Sequence, residues 1–226
     1  MILLSDLQAK IGYQFQNIDL LRQALTHRSY LNENPQFTLG HNERLEFYGD
    51  AVLEDIVTAY LFHNYKDKNE GELTNLRAAL VRGVHLAQVA DRMQLDQYLN
   101  ISKGEKNDTT AKAYITANAI EALIAALRLD GGYNVAQKFI ENFIIIDLEQ
   151  IIAEQSFIDA KSLLQAKAQE KLSITPNYIV VSEEGPDHNK VFEVAVFIGS
   201  KEYARGKGSS KQKAEQESAN KALENI

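Results

Sequence analysis

Between Leu7 and about Gln155 the apolar residues of this chain recur at spacings of three and four, and no stretch sustains the alternation of a strand. That period lines side chains along one stripe of a helix, so this part of the chain must bury its stripes by packing helix on helix. Leu20, Leu21, Ala24 and Leu25 mark one helix, Leu45 to Leu61 a second, Glu72 to Ala90 a third and Ala113 to Leu129 a fourth. Pro35 to Asn42 is polar, contains Gly40, and reads as a loop into the second helix. Asp130-Gly131-Gly132 supplies a stop after the fourth, because glycine tolerates the left-handed conformation at a helix C-terminus.

Past Ile144 the pattern changes. An apolar run gives way to Glu149, Glu154 and Gln155, and residues 149–157 read as a linker. An amphipathic helix from Ala160 to Leu172 follows, then β-branched and aromatic stretches at Tyr178 to Ser182 and Val191 to Ile198, a third short strand at Glu202 to Gly206, and a helix from Lys211 to Leu223. The expected architecture is an all-α domain over residues 1–148 and a small α+β module, in the order α-β-β-β-α, over residues 158–226, with both helices on one face of the sheet.

A chain of 226 residues with 45% apolar composition can fill two such cores. It has no cysteine, which excludes disulfides, thiolate metal sites and cysteine nucleophiles and suits a reducing compartment. Met1-Ile2-Leu3-Leu4-Ser5-Asp6 opens with four apolar residues and no basic flank, too short for a signal peptide or a membrane span, so the expectation is a soluble, cytoplasmic protein.

The net charge of −7 argues at first against a nucleic-acid partner, but its distribution is uneven. Residues 157–226 hold ten Lys and Arg against ten Asp and Glu, so the whole excess lies before them. Within Lys201 to Lys213 five basic residues face only Glu202. An acidic region and a locally basic one imply separate jobs.

The acidic region is organised. In NERLEFYGDAVL, residues 42–53, the carboxylates Glu43, Glu46 and Asp50 stand three and four positions apart, within an arc of about 60° on one helix face. Such a row repels itself, so either Arg44 and water solvate it or a divalent cation binds. The fourth helix carries Asn118 and Glu121, three apart on one face among Ala, Ile and Leu. A glutamate set in an apolar surface is costly unless paired or coordinated. Two helices meeting at these positions would form an oxygen-lined pocket suited to a hard cation such as Mg²⁺, which can activate water and neutralise a phosphoryl oxygen.

The run NERLEFYGDAVL is similar to the ribonuclease III signature, whose central run it departs from only at Tyr48. The resemblance extends to GYQFQNIDLLRQALTHRSY at 12–30, GELTNLRAALV at 71–81 and NAIEALIAALRLDGG at 118–132, and so covers essentially the whole chain. It implies a homodimeric, magnesium-dependent endonuclease for double-stranded RNA, with Mn²⁺ as a possible substitute. The products would be 5′-phosphate and 3′-hydroxyl ends with short 3′ overhangs, formed in processing of ribosomal RNA precursors and other transcripts. The implied metal ligands are Glu46, Asn118 and Glu121, with Asp50 and Glu121 as catalytic carboxylates and Glu43 supporting them or contacting substrate. Where the family usually has Asp, this chain has Asn118, a hard oxygen ligand without charge. The alternative is therefore a double-stranded RNA-binding protein whose cutting is weakened or absent.

Residues 159–226 resemble a double-stranded RNA-binding domain. Ser162, Gln165 and Gln169 on its first helix would meet 2′-hydroxyls and base edges in the minor groove, and the loop Gly185-Pro186-Asp187-His188 would be a second minor-groove probe. Ser210, Lys211, Gln212 and Lys213 at the start of its last helix would meet phosphates across the major groove. Gln212 stands where the family usually has the second lysine of a pair. Three smaller readings remain: His27, taken to lie in an apolar helix, as a structural histidine; Phe47 as either core or a knob entering a socket on the partner subunit; and Glu72 with Thr74 as a helix-start pair.

Overall fold

A computed structural model describes residues 4–153, 160–186 and 190–226, the side chains of 107, 109 and 110 excepted. The chain separates into two units, Met1–Phe157 and Ile158–Ile226.

The first unit is built on helix α7, Thr109–Gly131. From Ala119 to Leu127 every residue but Glu121 is fully buried. A helix apolar on nearly all sides must be surrounded, and here its neighbours are α2 (Ile18–Ala24), α4 (Glu43–Asn64), α6 (Gly83–Met93) and α8 (Tyr133–Phe143). Short helices α1 (Leu4–Ile11), α3 (Arg28–Glu33), α5 (Glu70–Val81) and α9 (Leu148–Ala153) complete the unit, and no strand occurs among its described residues.

The third helix expected over Glu72 to Ala90 is two. Arg82 is extended, with ψ 143°, and divides α5 from α6. A continuous helix would carry Leu86, Val89, Ala90 and Met93 away from α7; the corner at Arg82 and Gly83 turns them onto it, and tertiary burial overrides local periodicity. Helix α5 begins with a reciprocal cap in which Asn69 and Glu72 each accept the other's backbone N–H at 3.0 Å. Thr74 instead donates to Glu70 at 3.2 Å.

His27 lies between helices rather than within one. It is the N-cap of α3, its Nδ1 accepting from the Ser29 N–H at 3.3 Å, which is a structural role. Part of the expected linker is also helical: residues 149–153 belong to α9, because Leu148 and Ile151 are buried in the first unit's core.

The second unit has helix α10 (Ala160–Leu172), strands β1 (Pro176–Glu184), β2 (Val191–Ile198) and β3 (Lys201–Gly208), and helix α11 (Lys211–Leu223). The strands form an antiparallel sheet in the order β1-β2-β3. Its core joins Ala160, Leu164 and Ala168 of α10 to Val196 and Ile198 of β2 and Ala219 and Ala222 of α11. Small side chains bring α11 hard onto β3. A Cβ on Gly206 would lie 2.2 Å from the Ser218 nitrogen, so only glycine fits there.

Asp130, in the last turn of α7, ties that helix to the chain entering α2. Its carboxylate accepts from the Tyr13 hydroxyl and from the N–H groups of Gln16 and Asn17, each at 2.8 Å. Partial burial alone raises this carboxyl, but the donated hydrogen bonds outweigh it and hold the group below its ordinary value. A depressed carboxyl stabilises the fold above its unfolded pKa, and that contribution is lost as pH falls through the folded value. Asp130→Asn is expected to lower unfolding free energy at pH 7 by about 2 kcal/mol. Urea titrations across pH should show the gap between the two proteins closing below about pH 4.

Candidate active site

Helix α4 starts after Asn42, whose buried side chain donates to the Ala24 carbonyl at 3.1 Å and anchors the helix start. From there the acidic row runs along a face bordering α7. The two helices meet most closely at Gly49, where a Cβ would lie 1.8 Å from the Glu121 carbonyl oxygen. This places one turn of α4 backbone against the turn of α7 that carries Glu121.

Four of the five residues expected at the site converge there. The Asn118 side chain acts on Glu46, and Asp50 and Glu46 both act electrostatically on Glu121. Glu46 and Glu121 are half-buried and Asp50 is exposed at the rim. Burial pushes the Glu121 carboxyl up to about 8, with Asp50 and then Glu46 adding to the rise. Burial likewise raises Glu46; the Asn118 hydrogen bond opposes the shift, and Glu43 and Asp50 reinforce it.

Glu43 stands apart. It influences Glu46, but its own carboxylate lies 3.4 Å from Arg28 of α3 and 3.7 Å from the His41 imidazole. Its cationic neighbour is thus Arg28, and not the adjacent Arg44 that the sequence pattern offered. Both Arg28 and His41 went unnoticed in the sequence because their nearness to Glu43 comes from the path of the 35–42 loop.

Among the described residues no three His, Cys, Asp or Glu side chains are gathered closely enough to hold an ion between them. The donor set on offer is two carboxylates, Glu46 and Glu121, and the amide oxygen of Asn118. It fits a hard divalent cation for a physical reason: Glu121 without one keeps its proton at neutral pH, and a neighbouring positive charge is what such a crowded carboxyl pair requires.

Beyond this pocket, Phe47 is 82% exposed on α4, which excludes the core reading for it within one chain. In the second unit Ser162, Gln165 and Gln169 are all exposed on α10. Ser210 caps α11, accepting from the Lys213 N–H at 3.2 Å, and Lys211, Gln212 and Lys213 project from that helix start into solvent. His188 lies outside the described residues.

The comparisons with known proteins agree with this division. A family model described as Ribonuclease-III-like matches residues 17–148, and one for the double-stranded RNA binding motif matches residues 160–226. The chain is 44% identical to a Ribonuclease 3 of Clostridium tetani, across 99% of this chain and 94% of that one. It is 41% identical to a Ribonuclease 3 of Borreliella afzelii, across 97% and 90%. Two solved structures of the nuclease domain of Ribonuclease III from Campylobacter jejuni are similar to it. One is 36% identical, with TM-score 0.57, covering 63% of this chain and 96% of that one; the other is 35% identical, with TM-score 0.58, covering 65% and 97%.

The close crossing at Gly49 makes a direct prediction. Gly49→Ala must push α4 away from a backbone carbonyl, with no flexible side chain to give way. The expected cost is on the order of 3 kcal/mol or more. Chemical denaturation should show it, together with loss of nuclease activity even where the variant remains folded.

Proposed function

This chain belongs to the ribonuclease III family, and from that premise we propose that it is an endoribonuclease hydrolysing phosphodiester bonds of double-stranded RNA to leave 5′-phosphate and 3′-hydroxyl ends with short 3′ overhangs. The observation that carries the reading is the convergence of Glu46, Asp50, Asn118 and Glu121 where α4 crosses α7. Processing of ribosomal RNA precursors and messenger RNA is the role this activity suits. The cytoplasm, a reducing compartment, suits a chain without cysteine, and no described helix is long and apolar enough to cross a membrane.

Mg²⁺, for which Mn²⁺ can substitute, is the cofactor this reading assigns. Glu46 and Glu121 would hold it through charged oxygens and Asn118 through its carbonyl oxygen. When bound it lowers the pKa of a water and offsets charge on the phosphoryl oxygen. The chain's own groups do the rest. Glu121 must give up its proton for the ion to enter, which couples binding to pH around the value of about 8 that burial sets. The Asn118 side chain acts on Glu46, and Asp50, open at the rim, would be a further catalytic carboxylate.

Duplex RNA would be held by the second unit, with Ser162, Gln165, Gln169 and the His188 loop in minor grooves and Ser210, Lys211, Gln212 and Lys213 on the intervening phosphates. A homodimer would present two sites to opposite strands. Phe47 supports it as a large exposed apolar side chain beside the acidic row, and one of the Campylobacter jejuni structures is described in terms of a region involved in dimer formation.

Two substitutions test this. Glu121→Gln should leave duplex affinity within about twofold in a gel-shift measurement while cleavage falls by roughly a hundredfold or more, since a charged ligand is lost with little change of shape. Comparable cutting at saturating Mg²⁺ would sink the assignment. Asn118→Asp replaces a neutral amide near Glu46 with a like charge, so the metal-free protein should melt lower and gain more from added Mg²⁺. The ion should bind tighter by on the order of one to a few kcal/mol. An unchanged Mg²⁺ concentration for half-maximal cutting, with an unchanged metal-induced rise in melting temperature, would show that residue 118 is not a ligand.

A further inference from the structure

Glu43 closes one end of the acidic row, and both of its carboxylate oxygens face groups from outside α4. Arg28 Nη1 lies 3.4 Å from Oε1 and His41 Nδ1 lies 3.7 Å from Oε2. Arg28, His41 and Glu43 all act on His27, as does Glu105, so these charges share one patch of surface. The Arg28 side chain is 72% exposed and that of Glu43 is 46% exposed. An ion pair so open to water is weak and exchanges readily for a better partner.

A phosphodiester is a better partner. A site made of Glu46, Asp50 and Glu121 repels the backbone it must receive, and a metal ion offsets that repulsion at the reacting phosphate only. Neighbouring phosphates of the same strand need a cation of their own within a few ångströms of the row. Glu43 is about one helical turn from Glu46, so a guanidinium held on Glu43 stands at the end of the acidic row. Its planar fork can bond two phosphate oxygens at once, whereas to Glu43 it makes a single long contact.

We propose that Arg28, with the His41 imidazole beside it, is an RNA-backbone binding site of the nuclease unit. Glu43 holds Arg28 next to the acidic row in the free protein, and the guanidinium passes to a backbone phosphate when a duplex is laid across α4. The contact positions the strand and reads no sequence. The inference rests on the double-stranded-RNA reading above and adds to it a phosphate site in the catalytic unit, separate from the lysines of α11.

The test is the salt dependence of binding, which counts phosphate contacts. Affinity of the full chain for a blunt synthetic RNA duplex is measured over a series of KCl concentrations, in metal-free buffer with a chelator, for the parent and for Arg28→Gln, Arg28→Lys and Arg82→Gln. Arg82 is an exposed arginine on the corner before α6 and serves as the control for net charge. Arg28→Gln should lower the slope of log affinity against log salt by about one and weaken binding roughly tenfold. Its melting temperature should stay that of the parent. Arg28→Lys should keep the slope and lose part of the affinity, because charge is retained and the fork is not. An unchanged slope in Arg28→Gln overturns the proposal, as does an equal fall in Arg82→Gln. If Arg28→Gln melts lower, Arg28→Lys decides: a parental slope with reduced affinity supports the phosphate contact, and parental affinity refutes it. Failure of the parent to bind the duplex at all would overturn the underlying function as well, and strand cutting in chelator would overturn only its metal dependence.

Discussion

The crossing of α4 over α7 at Gly49 is the constraint on which the site depends. Without a side chain at that position the α4 backbone reaches van der Waals distance of the Glu121 carbonyl, and Glu46 and Asn118 are brought near enough to act on one another. The packing that allows this is made elsewhere. Helix α7 is buried over most of its circumference by alanine, isoleucine and leucine, so its axis is held from several sides, and between Ala119 and Leu127 only Glu121 is left partly open. Apolar burial fixes the helices, and the helices fix the acids.

Crowding those acids has an electrostatic consequence. Burial raises the Glu121 carboxyl to about 8, and the like charges of Asp50 and Glu46 add to the rise, so the group is a poor acid. Asn118 moderates this. Its side chain lowers Glu46 and carries no charge, so it adds none of the repulsion that an aspartate there would add. At the far end of the row, Arg28 balances Glu43 from outside α4, so positive charge borders the negative pocket on the side where α3 approaches. The second unit differs: its core joins alanines of both helices to Leu164, Val196 and Ile198, and its lysines at the start of α11 stay on the surface.

Much of this was legible in the residues themselves. The helical period of the first unit, the strand order and both helices of the second, and the carboxylates at three- and four-residue spacing all depend on local geometry, which repeats every 3.6 or 2 residues and can be read along the chain. Spacing put Glu46 with Asp50 on one helix face and Asn118 with Glu121 on another, and the resemblance to one family grouped the four. The motifs they form resemble those of one family, and the chain belongs to it.

The tertiary structure decided what depends on residues far apart in sequence. Arg82 breaks a stretch whose periodicity runs on unbroken, because only a corner there presents α6 to α7. His27 caps a helix instead of lying in one, and residues 149–153 are helical because Leu148 and Ile151 find an apolar surface that no local pattern discloses. Asp130, which reads as the end of a helix, is held by the backbone N–H groups of Gln16 and Asn17, more than a hundred residues away. Arg28 reaches Glu43 across a loop. The sequence by itself determined which faces are apolar and which acids share a turn, since neighbours on a helix are set by covalent geometry; which helix breaks, which charge is answered and by what are settled by packing, which brings together residues with no local relation.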